Sequence, residues 1–281
     1  MNKLAVAIAS LMFVCCTVHA KDIKVSEADI VIGKTITLTS TILSEQRQIN
    51  IYLPNSYDND AKQSYPVIYL LDGAMDEDFI HIAGLVQFAS FPWLNWMSES
   101  IVVGIANVDR KRDFTYPSGN ILDQQELPTS GESAQFISFI ERELQPYVRS
   151  AFRTTKNETL IGQSLGGLLA TEILFKQPNL FDNYVIVSPS LWWDDEKLLS
   201  HALPKFSEPT SIFIASGREG EVMERTAKSL YNKLNALESQ NVRLKYEFFA
   251  DKQHGDALHM AVYRAFEHIY KVPKDTPTTT P

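Results

Sequence analysis

Apolar residues recur along the chain in two patterns that predict β-strands. Residues 34–43 and 47–53 alternate branched and polar side chains, which is typical of antiparallel strands with one face in solvent. Residues 67–71 and 101–105 are continuously apolar, as expected of strands that are covered on both faces. Three further segments have the composition of buried strands, namely residues 184–187, 211–215 and 244–249.

Helical patterns separate most of these segments. A helix is predicted after Thr129, because Thr129 and Glu132 have the spacing of a capping box. Strands that alternate with helices predict an α/β fold, in which a mostly parallel central sheet carries helices on both faces. Ligands of such sheets bind at the carboxyl ends of the strands. Further helices are predicted between Ser164 and Pro178, over residues 222–237 and 256–270, and in part of the aromatic-rich residues 79–96.

The first 20 residues differ from the rest of the chain. Lys3 is their only charged residue, residues 4–18 are apolar, and residues 18–20 have the small-residue spacing of a cleavage site. This pattern predicts a signal peptide, and hence a periplasmic or secreted protein without a stable membrane anchor; the alternative is an uncleaved anchor. We expect residues 21–272 to form a single domain and the Thr- and Pro-rich residues 273–281 a disordered tail.

Composition narrows the possible chemistry. Cys15 and Cys16 are the only cysteines, and both fall in the predicted signal peptide. The mature chain would therefore have no thiol nucleophile and no zinc–thiolate site. The formal net charge is −8 and no basic run is interleaved with aromatic residues, which argues against nucleic acid as a partner. We expect no metal and no cofactor.

One stretch carries the signature of a nucleophile. Residues 162–166 read Gly-Gln-Ser-Leu-Gly, with an apolar strand pattern before them and a helix pattern after them. In such a strand–turn–helix, small residues on both sides of the serine allow the chain to turn sharply and to present the hydroxyl. Ser164 is the candidate nucleophile, and the N–H of Leu165, at the start of the helix, is a candidate donor to an oxyanion.

A serine hydroxyl needs a base and, usually, an acid that orients the base. His254 lies in a loop between a predicted strand and the last helix, and it is the candidate base. The loop after the strand 211–215 contains no aspartate, so Glu219 is the first candidate for the acid and Glu221 the second. A Ser–His pair without a dedicated acid is the remaining alternative.

The second oxyanion donor is expected in the loop after the strand 67–71, which reads Asp72-Gly73-Ala74. Gly73 allows a turn that directs the N–H of Ala74 toward the site. Asp72 is interpreted as a turn residue, because a carboxylate beside an oxyanion would raise the barrier.

Several stretches together resemble the putative-esterase family of α/β-hydrolases, whose relatives include esterase D, ferric-enterobactin esterases, feruloyl and acetyl esterases, and mycolyltransferases. The resemblance implies the α/β-hydrolase fold, with Ser164 as nucleophile, His254 as base, and Ala74 and Leu165 forming the oxyanion hole. The Leu-Asp-Gly and Ser-Pro-Ser-Leu-Trp-Trp stretches are most similar to the siderophore-esterase branch. The stretches that carry the resemblance are residues 47–54, 65–73, 101–105, 109–113, 160–167 and 188–193.

Four residues near these motifs are candidates for contact with the substrate. Arg110 and Arg112 would hold an anionic or catecholate group, and Trp192 and Trp193 would stack on an aromatic acyl group. The alternative is structural, because Arg–Asp pairs often brace loops and paired tryptophans often fill a core.

The sequence thus predicts a serine esterase that cleaves a small-molecule carboxylic ester through an acyl-enzyme, of siderophore type or with acyl or feruloyl groups. Two alternatives remain open at this point. One is an acyltransferase that uses an acceptor other than water, and the other is a non-catalytic binding protein on a hydrolase scaffold.

Overall fold

The computed structural model describes residues 25–237 and 239–271. The predicted signal peptide with its two cysteines and the predicted tail both lie outside these residues. Residues 25–31 are a separate exposed segment without regular secondary structure. The elements that position the site belong to the unit that begins at Ile32.

A single eight-stranded sheet forms the centre of the described residues, with strand order β1-β2-β4-β3-β5-β6-β7-β8. β1 and β2 pair antiparallel, as do β2 and β4, and the remaining neighbours are parallel. The carboxyl ends of the parallel strands therefore meet at one edge. The strands are β1 (Gly33–Ser40), β2 (Glu45–Tyr52), β3 (Tyr65–Leu70), β4 (Ile101–Ile105), β5 (Thr154–Gln163), β6 (Asn183–Val187), β7 (Thr210–Gly217) and β8 (Val242–Phe249).

Helices cover both faces of the sheet, as the pattern of the chain predicts. Along β3, Tyr69 faces one core cluster and Ile68 faces the other, because successive side chains of a strand point to opposite faces. Both are fully buried, and burying each such side chain contributes about 1.5–3 kcal/mol. The helices are α1 (Phe79–Ala89), α2 (Arg110–Phe114), α3 (Ile121–Glu126), α4 (Ser133–Phe139), which continues through a π-helical turn (Ile140–Leu144) into α5 (Gln145–Ala151), then α6 (Leu165–Lys176), α7 (Trp193–Ser200), α8 (Glu221–Asn235) and α9 (Ala257–Tyr270).

The predicted capping box before α4 is wrong. Glu132 stands at the N-cap position of α4, but its side chain makes no capping hydrogen bond. The Thr129 hydroxyl donates instead to Asp109 Oδ1 at 3.0 Å, and Asp109 in turn caps α2. The loop therefore packs on the neighbouring helix, which the local spacing of residues could not reveal.

Candidate active site

Ser164 stands at the junction of β5 and α6 in a strained conformation, with φ 59° and ψ −120°. A side chain at Gly162 is impossible without movement, because its Cβ would lie 2.4 Å from the carbonyl oxygen of Gly166. Such strain persists only where the surrounding structure enforces it, and it is concentrated at functional sites. The turn presents Ser164 at the carboxyl edge of the sheet, next to the N-terminus of α6.

The backbone around Ser164 is held by the next strand. Its N–H donates to the carbonyl of Val187 at 3.1 Å, and its own carbonyl accepts from the Ser190 N–H at 3.0 Å. Leu165 is the first residue of α6, so its N–H has no partner within the helix. The elbow therefore leaves one backbone donor available beside the serine.

The structure distinguishes between the two glutamates that the sequence offers as the acid. His254 Nδ1 lies 2.6 Å from Glu219 Oε2, whereas Glu221 begins α8. The Glu219 side chain is only 2% exposed, and the imidazole is 47% exposed. A buried carboxylate on one nitrogen and solvent access at the ring is the arrangement that a general base requires.

The other carboxylate oxygen of Glu219 is also occupied. Oε1 accepts hydrogen bonds from the Ser188 hydroxyl and from the Gly217 N–H, the latter at 2.7 Å. Burial raises the pKa of the Glu219 carboxyl, but the hydrogen bonds from His254 and these two donors lower it more, so that the net pKa lies below its ordinary value of 4.5. Glu219 is therefore ionised at neutral pH.

A cavity of about 530 Å³ joins the nucleophile to the base. Within the described residues, the hydrogen-bond partner of Ser164 Oγ is Ser190 Oγ, at 3.3 Å, rather than the imidazole. Gln163 Nε2 donates to the backbone oxygen of His254 at 2.5 Å and ties the histidine loop to the elbow. Hydrogen bonds between a nucleophile and its base often tighten only when substrate is bound. The cavity is lined by Ser164, Ser190, Trp192, Arg218, Glu219, Met223, Gln253 and His254.

The expected second oxyanion donor is not free in the structure. The Ala74 N–H donates to Glu77 Oε2 at 3.0 Å, and Glu77 Oε1 accepts from Asn107 Nδ2 at 2.9 Å. A glutamate that reaches back to the N–H of the third residue before it is the return half of a capping box. This corrects the expectation that the N–H of Ala74 faces an open site.

Arg110 braces the elbow and does not line the cavity, which corrects its expected contact with substrate. Its Nε and Nη2 lie 2.6 Å and 2.9 Å from the two oxygens of Asp72, and Nη2 also donates to the carbonyl of Gln163 at 3.2 Å. Asp72 has φ 55°, in agreement with its interpretation as a turn residue. The ion pair therefore joins the β3 loop to the residue before the nucleophile.

Arg112 and Trp193 also lie outside the cavity, whereas Trp192 lines it. Arg112 pairs with Asp113 at 2.8 Å and with Glu45 at 2.7 Å, so its guanidinium is used within the fold. Trp193 is fully buried. Trp192 is 37% exposed, and of the four candidates for substrate contact it is the one in the cavity wall.

The sequence did not predict Ser190 and Arg218 in the cavity wall, nor Ser188, which lies outside the wall and bonds Glu219. Ser188 and Ser190 follow β6, and Arg218 stands next to Glu219 after β7. A signal was available, because loops that follow neighbouring parallel strands meet at one edge of the sheet. The Ser-Pro-Ser stretch after β6 had to lie between the nucleophile after β5 and the acid after β7.

Within residues 25–237 and 239–271, no group of three or more His, Cys, Asp or Glu side chains is arranged to hold a metal ion. None of the helices in the same residues has the length and apolar character needed to span a bilayer.

Comparison with known proteins adds the family. The family model described as "Putative esterase" matches residues 40–261. Ferri-bacillibactin esterase BesA of Bacillus subtilis is 29% identical over 250 residues, which cover 79% of this chain and 84% of that protein. The siderophore enterobactin esterase of Emericella nidulans is 37% identical over 78 residues, 26% of this chain and 25% of that protein.

Solved structures agree with this match. An IroE-like serine hydrolase from Shewanella oneidensis has a TM-score of 0.74 at 28% identity, over 85% of this chain and 80% of that chain. The BES protein from Bacillus cereus has a TM-score of 0.76 at 27% identity, over 89% of this chain and 100% of that chain.

Proposed function

This chain belongs to the putative-esterase family of α/β-hydrolases, and from that premise we propose that it is a serine carboxylic-ester hydrolase that works through an acyl-enzyme. The observation that carries the proposal is the cavity in which Ser164, His254 and Glu219 meet. The short contact between His254 and Glu219 and the strained backbone of Ser164 both support it.

In the acylation step, Ser164 Oγ attacks the ester carbonyl as His254 Nε2 takes its proton. Glu219 holds the imidazole through Nδ1 and stabilises the imidazolium that forms. The developing oxyanion accepts from the Leu165 N–H, and removal of one such donor commonly lowers the rate by about 10²–10³-fold. His254 then returns the proton to the leaving alcohol, and the acyl group stays on Ser164.

In the deacylation step, a water molecule replaces the alcohol. His254 takes a proton from the water, the resulting hydroxide attacks the acyl carbonyl, and the acid product leaves as Ser164 recovers its proton. The exposed side of the imidazole supports this step, because water reaches the ring directly from the cavity.

We propose an ester of siderophore type as the substrate, with acyl or feruloyl esters as the wider class. Relatives named as siderophore esterases support this. The cavity walls support it as well, because Trp192 offers a flat face and Arg218 a positive charge to an anionic aromatic group. Arg218 Nε donates to the carbonyl of Ala250 at 3.1 Å, which limits the movement of the guanidinium.

We further propose that the protein acts in the periplasm or outside the cell, on the strength of the leader-like residues 1–20. N-terminal sequencing of the protein from a periplasmic extract is the test. A mature chain that starts at Lys21 is expected, and an intact Met1 in the cytosolic fraction would contradict it.

Labelling with a fluorophosphonate probe tests the serine mechanism. The wild-type protein should take up label and hydrolyse p-nitrophenyl acetate, and Ser164→Ala should do neither while keeping its melting temperature. Ser150→Ala is a matched control, because this exposed serine bonds the carbonyl of Tyr147 outside the cavity. A folded wild-type protein without label, or label that persists in Ser164→Ala, would contradict the proposal.

Product analysis separates the remaining alternatives. Hydrolysis of a catechol trilactone to the free acid is expected, in preference to short acyl esters and feruloyl sugars. An acyl group transferred to an added alcohol or sugar would identify an acyltransferase. Saturable binding of the trilactone without turnover would identify a binding protein.

A further inference from the structure

The acid of the candidate triad, Glu219, is held by a serine that takes no part in the proposed acyl transfer. Ser188 is the first residue after β6, it is fully buried, and its hydroxyl donates to Glu219 Oε1. Its backbone has φ 45°, which is rare for a residue with a side chain. Its N–H donates to the carbonyl of Ala215 in β7 at 2.7 Å. The loop is therefore anchored to the strand that leads to Glu219.

A buried glutamate needs more orientation than its bond to histidine provides. The side chain has one more rotatable bond than aspartate, so the carboxylate can swing out of the plane of the imidazole. Two donors on Oε1, Ser188 Oγ and the Gly217 N–H, direct Oε2 toward His254 Nδ1. Both also satisfy an ionised oxygen that has little access to water, since the Glu219 side chain is 2% exposed.

Other charged and titratable groups surround this pair. Glu224 of α8 accepts from the Glu219 N–H at 3.0 Å, and Arg218 precedes Glu219 in the same loop. Tyr246 of β8 reaches Ser216 Oγ at 2.9 Å. The side-chain hydrogen bonds that the Glu219 carboxylate accepts within the described residues come from His254 and Ser188, and not from these groups.

We infer that Ser188 is the positioning residue of Glu219, and that its hydroxyl keeps the carboxylate aligned with His254 during the acid–base cycle. The inference rests on the proposed serine-esterase function. It concerns orientation through Glu219 and involves no contact between Ser188 and substrate.

The test is the pH profile of kcat/KM in Ser188→Ala. Loss of one hydrogen bond to a buried charge should lower kcat/KM by about tenfold, mostly in kcat. Without the hydroxyl the carboxylate can turn away from Nδ1 and stabilises the imidazolium less, so the acid limb of the profile should move to lower pH, the direction expected when the charge of Glu219 is removed. Ser216→Ala is the matched control, because it removes a fully buried hydroxyl that does not bond Glu219, and its acid limb should stay in place.

A double variant shows whether Ser188 acts through Glu219. In a Glu219→Gln background, Ser188→Ala should add little further loss and no shift of the acid limb. Losses that multiply in the double variant, or an unshifted acid limb in an active Ser188→Ala protein, would overturn the inference. Ser188→Gly removes the same hydroxyl and also relieves the positive φ, so it provides the measurement if Ser188→Ala folds poorly.

The two proposals fail in different ways. A wild-type protein that hydrolyses no ester and takes up no fluorophosphonate would contradict the proposed function. An active wild-type protein whose Ser188 variants keep the wild-type profile would contradict only the positioning role.

Discussion

Two parts of this site differ in how far they are assembled without substrate: the acid side, formed by Glu219 and His254, and the oxyanion side, formed by the N–H groups of Leu165 and Ala74. On the acid side, Glu219 meets His254 at 2.6 Å and its second oxygen is satisfied by two donors. On the oxyanion side, the N–H of Ala74 is occupied by the carboxylate of Glu77. The acid side is assembled before substrate arrives, whereas on the oxyanion side the Leu165 N–H is available and the Ala74 N–H is occupied by a residue of the chain itself.

The difference follows from which negative charge is already present before the reaction begins. The carboxylate of Glu219 is present throughout the cycle, so the fold can satisfy it permanently. An oxyanion beside Ala74 would exist only during the reaction. In the free protein the Ala74 N–H needs another partner, which is water or a neighbouring residue. If Ala74 serves the oxyanion, Glu77 has to leave, because two negative groups cannot share one donor.

The largest effect is expected on the acid side. Glu219→Gln should lower kcat/KM by about 10²–10⁴-fold, because a neutral amide neither stabilises the imidazolium nor enforces its tautomer. The acid limb of the pH profile should move to lower pH, since His254 loses a negative neighbour. Steady-state kinetics from pH 5 to 9 provide the measurement.

Glu221→Gln is the control for that substitution, because Glu221 begins α8 and the His254 ring bonds Glu219 instead. Its kcat/KM should stay within about twofold of wild type. If Glu219→Gln keeps the wild-type kcat/KM, a Ser–His pair works alone and the Glu219–His254 contact does not contribute to catalysis.

The ion pair that joins the β3 loop of the oxyanion side to the elbow should give the next effect. Arg110→Met removes the ionic partner of Asp72, whose Oδ1 keeps its hydrogen bond from Asn107 Nδ2, and we expect a loss of about 1–2 kcal/mol of stability and about tenfold of kcat/KM. The substitution should change KM by the same factor for neutral and for anionic esters, because Arg110 braces the fold and does not contact the substrate. Arg112→Met is the control, and it should lower the melting temperature with little change in kcat/KM. A rise in KM confined to anionic esters in Arg110→Met would instead indicate contact with substrate.

A smaller effect of opposite sign is expected on the oxyanion side. Glu77→Ala releases the N–H of Ala74 and should raise kcat/KM by about three- to tenfold for a small neutral ester. Affinity for a trifluoromethyl ketone, which forms a tetrahedral adduct with the serine, should rise by a similar factor. Asp76→Ala, an exposed neighbour, is the control. Lower activity and weaker binding in Glu77→Ala, with an unchanged melting temperature, would mean that Glu77 supports the hole.

The smallest effect is expected on stability, at the contact between α1 and α9. His81 of α1 stacks on His259 of α9 with ring centroids 3.6 Å apart, and His259 Nε2 lies 3.1 Å from Asp78. Burial, and next the charge of His259, lower the pKa of His81 from its ordinary value of 6.5, although Asp78 opposes this. The unfolded chain therefore takes up a proton at a higher pH than the folded chain, and stability falls as the pH drops below 6.5.

Melting temperatures at pH 5.5 and 8 measure this contribution. The drop from pH 8 to pH 5.5 should be smaller in His81→Gln than in the wild-type protein. His201→Gln is the control, since His201 lies at the end of α7, away from the α1–α9 contact. If the melting temperature falls equally in His81→Gln and in the wild-type protein, His81 does not contribute to the loss of stability at acid pH.

Much of this protein is determined by local sequence. Continuous apolar runs such as residues 67–71 and 101–105 favour strands covered on both faces, and β3 and β4 are such strands. The glycine before Ser164 and the helix pattern after it specify a strained turn, because the collision at Gly162 involves residues four apart in the chain. The family and the α/β-hydrolase fold were predicted from motifs of this kind, and the family match confirms them.

The tertiary structure decided what depends on partners distant in sequence. Glu219 and Glu221 are the same residue type and lie two positions apart, so the sequence does not distinguish them. The packing of β7 between β6 and β8 brings Glu219 to His254 and Ser188. Arg110 is drawn to Asp72, 38 residues away, for the same reason. Side-chain hydrogen bonds form within about 3 Å, so they depend on how elements pack, which the pattern of a single segment does not contain.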